Sequence, residues 1–192
     1  MALGSAGCKR GGIRWEVTKN YRSGRCFLRV RTGGLPKQRT PKSIHAMNGS
    51  SDPALAALPH GPSFRFVDEL VSLEEGRKGT ALYRVKGDEA FLEGHFPGNP
   101  MMPGVILIEA IAQLGGVVAQ SDPAEAPLAD LRLTAVRAAK ILGAAVPGDV
   151  LEIAVEVEGR LGGLVQVDGE IRMRGDLLAK AKITLSGDVA PA

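Results

Sequence analysis

The stretch Gly94-His95-Phe96-Pro97-Gly98-Asn99-Pro100-Met101-Met102-Pro103-Gly104-Val105-Ile106-Leu107-Ile108-Glu109-Ala110-Ile111-Ala112-Gln113 decides how this chain is read. Its second half opens a nearly unbroken apolar run, residues 104–119, interrupted only by Glu109 and Gln113. The run predicts one long helix from 103 to about 120. Pro103 suits the first helical position, where a missing N–H removes no helix bond. A helix apolar on almost every side needs cover almost all round. The run is shorter than a membrane span and carries a carboxylate, so a buried core helix is expected and not a crossing.

On both sides of the helix the chain reads as strands. Phe64, Phe66, Val71 and Leu73 mark a first strand region, and residues 80–86 alternate as a second. A Gly- and Pro-rich loop, 87–102, leads into the helix, and a loop with two prolines, 121–130, leaves it. Residues 131–141, 150–158, 164–174 and 177–185 read as four further strands, with turns at Pro147-Gly148-Asp149, Gly162-Gly163 and Gly175-Asp176. Tight turns make successive strands antiparallel. The predicted fold is therefore α+β, one antiparallel sheet curled around one central helix.

Charge divides the chain. Residues 1–46 hold eleven Lys or Arg against a single acid, Glu16, a net of +10; residues 47–192 hold thirteen against twenty, a net of −7. The formal net charge of +3 thus reflects a basic arm and not the domain. A domain of −7 offers no surface that tracks phosphates, which speaks against nucleic acid as a partner. The arm, 1–46, is expected to be disordered. Three readings of it stand open: an organelle transit peptide, an arm for RNA or an acidic partner, or sequence upstream of a start at Met47. The folded domain is expected over 47–192. Cys8 and Cys26 both lie in the arm and match no zinc or redox spacing. No secretory apolar segment occurs in residues 1–25, so the cytoplasm is expected, or an organelle matrix if the arm is a transit peptide.

Three features of the quoted stretch carry chemistry. Glu109 lies in an apolar helix, where a carboxylate seldom enters unpaired, and Gln113 is one turn on and on the same face. The two form either a packing pair or a carboxylate tuned for reaction. His95 sits in a loop stiffened by prolines, either as a structural histidine or as a proton carrier. No Ser, Thr or Asp caps the helix start, and Gly104 leaves room for a ligand near the first amides, which favour developing negative charge. Capping by Asn99, loop carbonyls or water is the competing account. Together these parts suit proton abstraction beside a thioester carbonyl with loss of a β-hydroxyl. No His/Cys/Asp cluster has metal-ligand spacing, and no metal is expected. His60, at the start of the first strand region, is given no role beyond structure.

Gly94-His95-Phe96-Pro97, Pro100, Met102-Pro103-Gly104-Val105, Glu109-Ala110 and Ala112-Gln113 resemble the signature of the 3-hydroxyacyl-[acyl-carrier-protein] dehydratases. Leu58-Pro59-His60, Phe66-Val67-Asp68 and Val146-Pro147-Gly148-Asp149 resemble its flanking pieces, so the likeness spans about 58–185 and omits the arm. The resemblance implies a hot-dog fold, a homodimer or trimer of dimers, and syn dehydration of a (3R)-3-hydroxyacyl thioester to the trans-2-enoyl thioester without a cofactor. It implies His95 and Glu109 as a dyad shared between subunits, with Glu at 109 pointing to the branch that dehydrates only. The Gly104 amide would hold the thioester carbonyl, and Val105, Phe96 and Gln113 would border the substrate.

The partner implied is acyl carrier protein, itself acidic, and Arg132, Arg137 and Lys140, with Arg65 next, are the candidates to dock it. Residues 142–145 lack the basic side chains common in the family, which bears on carrier preference. Two other classes compete. A hot-dog thioesterase, or a dehydratase-like domain of a polyketide or specialised lipid pathway, would share the fold. A non-catalytic acyl-binding protein would be expected to have lost the dyad.

Overall fold

Residues 9–10, 13–19, 26–31, 53–56 and 58–189 are described in a computed structural model of the chain. The chain divides into two compact units, 1–47 and 48–192. In the first, strands β1 (Lys9–Arg10), β2 (Ile13–Lys19) and β3 (Cys26–Arg31) pair antiparallel in that order. An arm without regular structure is thus corrected to one that carries a small sheet. The signal was present: Ile13, Trp15 and Val17 alternate with Arg14, Glu16 and Thr18, a period of two in strand-forming residues. The density of Arg and Gly around it conceals so short a pattern. The transit-peptide and start-site readings turn on residues outside the described ones.

The second unit carries the expected order of strand, strand, long helix and four strands. It runs α1 (Pro53–Ala56), a single 3₁₀ turn (Pro62–Phe64), β4 (Glu69–Glu74), β5 (Lys78–Arg84), α2 (Ala90–Gly94), α3 (Gly104–Gln120), β6 (Leu128–Ile141), β7 (Val150–Leu161), β8 (Leu164–Met173) and β9 (Asp176–Val189). The six strands make one antiparallel sheet ordered β4-β5-β7-β8-β9-β6, and α3 packs on β5, β7, β8, β9 and β6. Among the described residues no helix is long and apolar enough to cross a membrane.

Strand ends shift by a few residues from expectation, and two differences bear on the site. The first strand begins at Glu69 and not near Phe64, because Pro62 starts a helical turn through Phe64 and the amide of Phe66 goes to a side chain, Gln113 Oε1. The loop 87–102 contains the short helix α2, whose apolar Phe91 and Leu92 turn onto the core.

What draws α3 onto the sheet is the absence of side chains opposite it. A β-carbon on Gly79 would stand 2.8 Å from Val118 Cγ2, and one on Gly115 would stand 3.1 Å from Val167 Cγ1. A β-carbon on Gly169 would overlap Ile111 outright. These three glycines let backbone and helix approach, and Ile111, Leu114 and Val118 are fully buried as a result. At the far end, the Ser121 hydroxyl accepts from the Gly76 amide and donates to Val118 O, tying the helix terminus to the β4–β5 turn.

Candidate active site

Glu109 lies on the second turn of α3, and its surroundings are set by Gln113 one turn later. Gln113 is 2% exposed. Its amide oxygen accepts from Phe66 N at 2.8 Å, and its amide nitrogen donates to Phe64 O at 2.9 Å and to Glu109 Oε1 at 3.1 Å. One side chain therefore pins the segment 64–66 to the helix and orients the carboxylate. His60 Nε2 stands 3.3 Å from the same oxygen, Glu109 Oε1. His60 Nδ1 is buried with no hydrogen-bond partner, and Nε2 is the ring nitrogen that faces the carboxylate. Gln113 thus donates to Oε1 with His60 beside it, and Oε2 makes no bond to either residue.

These residues border a cavity of about 1030 Å³ between α3 and β6. The α3 stripe Glu109, Gln113, Gly116 and Gln120 forms one wall, and Leu131 and Leu133 stand opposite. His95, Phe96, Gly104 and Val105 do not line it.

His95 caps the C-terminal end of α2, half-buried. Its Nδ1 lies 2.8 Å from Met101 O. A carbonyl only accepts, so Nδ1 donates to it and Nε2 is the nitrogen turned to other partners. Phe96, at φ 58, holds the left-handed backbone and stacks edge-on against His95 with centroids 4.5 Å apart.

The loop is held at both ends. Met102 N donates to Ala145 O, and Asn99 N donates to Phe96 O, both at 2.8 Å. Upstream, Glu89 accepts from Lys86 N, Gly87 N and the Tyr83 hydroxyl at 2.7–2.8 Å. Burial works to raise the Glu89 carboxyl, but these three donors outweigh it and hold its pKa below the ordinary value. Burial, and then the bond to Glu89, push the Tyr83 hydroxyl far up, so it stays a donor.

Within one protomer no polar contact joins His95 to Glu109. The helix start differs in detail from expectation. Pro103 is the N-cap (φ −58, ψ 136) and not the first helical residue, and it makes no side-chain cap bond. The room left by Gly104 is taken by the δ-methyl of Ile141 at the end of β6, which a β-carbon at 104 would strike. A side chain at 104 would therefore have to displace Ile141, whatever ligand approaches the Gly104 amide. Val105 beside it is 69% exposed.

Arg132, Arg137 and Lys140 lie exposed along β6, with Arg132 at the cavity rim. Arg65 is not with them. Its guanidinium donates to His60 O at 3.2 Å and Leu58 O at 3.5 Å, bracing the segment that carries His60. Reading the sequence alone gave His60 no role, because 49 residues separate it from Glu109; its only signal was its place in Leu58-Pro59-His60.

A six-stranded antiparallel sheet around one buried helix that carries a carboxylate on a cavity defines the hot-dog class of α+β proteins. Solved structures share the fold. A chain of the dehydratase heterocomplex ApeI:P from Xenorhabdus doucetiae superposes with a TM-score of 0.59 at 22% identity, over 69% of this chain and 89% of that one. Zebra fish thioesterase superfamily member 2 does so with a TM-score of 0.53 at 16% identity, over 69% and 90%.

The FabA-like domain family matches residues 58–182. The 3-hydroxyacyl-[acyl-carrier-protein] dehydratase FabZ of Anaeromyxobacter sp. (strain K) is 38% identical over 127 residues, 65% of this chain and 81% of that one. The protein of the same name from Syntrophotalea carbinolica is 36% identical over 126 residues, 66% and 86%. The chain belongs to this dehydratase family.

Proposed function

We propose that the second unit dehydrates (3R)-3-hydroxyacyl-[acyl-carrier-protein] to the trans-2-enoyl thioester in fatty acid biosynthesis. The observation that carries the reading is the Glu109 carboxylate, bonded at Oε1 by Gln113 with His60 3.3 Å away, on a cavity whose other walls include Leu58, Val117, Leu131 and Leu133. That is a prepared proton site beside room for an acyl chain.

His95 Nε2 takes a proton from C2. The C2–H electron pair becomes the C2=C3 bond, and the C3 hydroxyl leaves as water with a proton from Glu109 Oε2. Charge that develops on the thioester oxygen meets the first amides of α3, where the helix dipole favours it. His95 ends protonated and Glu109 ionised, and proton return through solvent resets both.

His95 and Glu109 do not meet in one protomer, so the dyad is completed in a homodimer, with His95 of one protomer facing the acid of its partner. The edge of β6 supports this. Its Ala135, Val136, Ala138, Ala139 and Ile141 are exposed, and β9 is its one ladder neighbour among the described residues. A long apolar edge strand of this kind calls for a partner. Arg132, Arg137 and Lys140 on the same strand are the proposed contacts for the acidic carrier, in the cytoplasm. Purified protein given 3-hydroxydecanoyl thioesters, on carrier protein and on coenzyme A, should yield a product lighter by one water. Release of free acid would mean a thioesterase, and an unchanged substrate a binder.

A further inference from the structure

Two adjacent glycines in α3 do different work. Gly115 faces β8, where a β-carbon would press on Val167 at 3.1 Å, so packing demands it. Gly116 lines the cavity, and a β-carbon there would meet only Leu131 Cδ2 at 3.6 Å, an ordinary contact. Nothing in the packing within one protomer requires glycine at 116, yet glycine inside a helix lowers its stability relative to alanine. The stripe that faces the cavity places Gly116 two turns beyond Glu109, about 10 Å along the axis, while Gln120 ends the stripe at about 16 Å. At that far end Gln120 is locked to Leu128, its amide donating to Leu128 O and accepting from Leu128 N. Leu131 already stands against position 116 from β6, so a larger side chain there has no direction to take but into the cavity.

We infer that Gly116 is the specificity-determining residue for acyl chain length: its missing side chain keeps the passage open between the carboxylate end and the Gln120 end, so that long 3-hydroxyacyl chains are accepted. The inference rests on the acyl site proposed above. A short chain ends before Gly116 and does not meet it; a long chain must pass it. Added methylenes in an apolar pocket discriminate by roughly tenfold or more each.

The test uses the full chain with Gly116→Ala and Gly116→Leu, assayed for kcat/KM on 3-hydroxybutyryl, 3-hydroxydecanoyl and 3-hydroxyhexadecanoyl carrier thioesters. The ratio of hexadecanoyl to butyryl kcat/KM should fall about tenfold for alanine and further for leucine. An unchanged ratio, or an equal loss at all lengths, would overturn the inference. Alanine fits the helix at ordinary contact distance and decides the matter if leucine misfolds. Binding of the saturated acyl-pantetheine thioesters of the same lengths, by calorimetry, separates this inference from the reading it rests on. If the wild type makes no enoyl product, the dehydratase reading fails. A weakened hexadecanoyl affinity in Gly116→Ala still supports the role of Gly116, and an unchanged affinity overturns it.

Discussion

Leu107, Ala110, Ile111, Leu114 and Val118 on one side of α3 are 0–1% exposed and press into the sheet, whereas Glu109, Gln113, Gly116 and Gln120 on the other border a cavity. Both stripes follow helical spacing, and both belong to an almost uniformly apolar run. They differ in what stands opposite. Facing the sheet, Gly79 and Gly169 admit the helix until side chains interlock. Facing β6, the separation is kept, and Glu109, Gln113 and Gln120 along it are held by hydrogen bonds. A single helix therefore serves stability on one face and chemistry on the other, and substitutions should separate the two.

The largest effect is expected from the reactive pair. Glu109→Gln and His95→Ala should each lower kcat by about 10²–10⁴-fold while far-ultraviolet circular dichroism and the urea midpoint hold. A variant of Glu109 that kept its turnover would make this residue a packing group and erase the distinction between the faces.

Leu114→Ala, on the sheet face, should do the reverse. Stability by urea denaturation should fall by about 2–5 kcal/mol, with kcat per folded molecule little changed. Comparable damage to kcat would mean that the two faces are mechanically coupled.

Gln113→Ala sits between these cases. It strips the acceptor from Phe66 N and the donor from Phe64 O and Glu109, so a loss of about 1–3 kcal/mol is expected together with a lowered kcat. Stability lost without any kcat change would confine Gln113 to bracing the segment 64–66.

The smallest effect concerns the loop that carries His95. The Glu89 pKa is lowered in the folded protein, so its contribution is present above the ordinary value of 4.5 and is lost as pH falls through the lower, folded value. Urea midpoints of Glu89→Gln and wild type should differ near neutral pH and converge in that acid range. Parallel pH profiles would remove Glu89 as the anchor of the loop.

The helix, its acid, and the order of strands around it were legible because they are local: apolar runs, periods of two and tight turns are written in consecutive residues. The Gln113–Glu109 bond was legible too, being one helical turn. Local pattern also marked β2, but only over a few residues among many arginines. What the linear chain concealed are meetings across distance. His60 reaches Glu109 from 49 residues away, Ile141 takes the space above Gly104, and Arg65 turns inward to carbonyls when its charge suggested a surface role. The same holds for His95 and Glu109, which share one motif yet do not touch within a protomer. The sequence by itself determined which residues are able to carry chemistry, since residue type and helical spacing are properties of short segments. Only the tertiary structure decided which of them share a cavity, because that depends on how closely the sheet lets the helix approach, and close approach is set by glycines and strand register far along the chain.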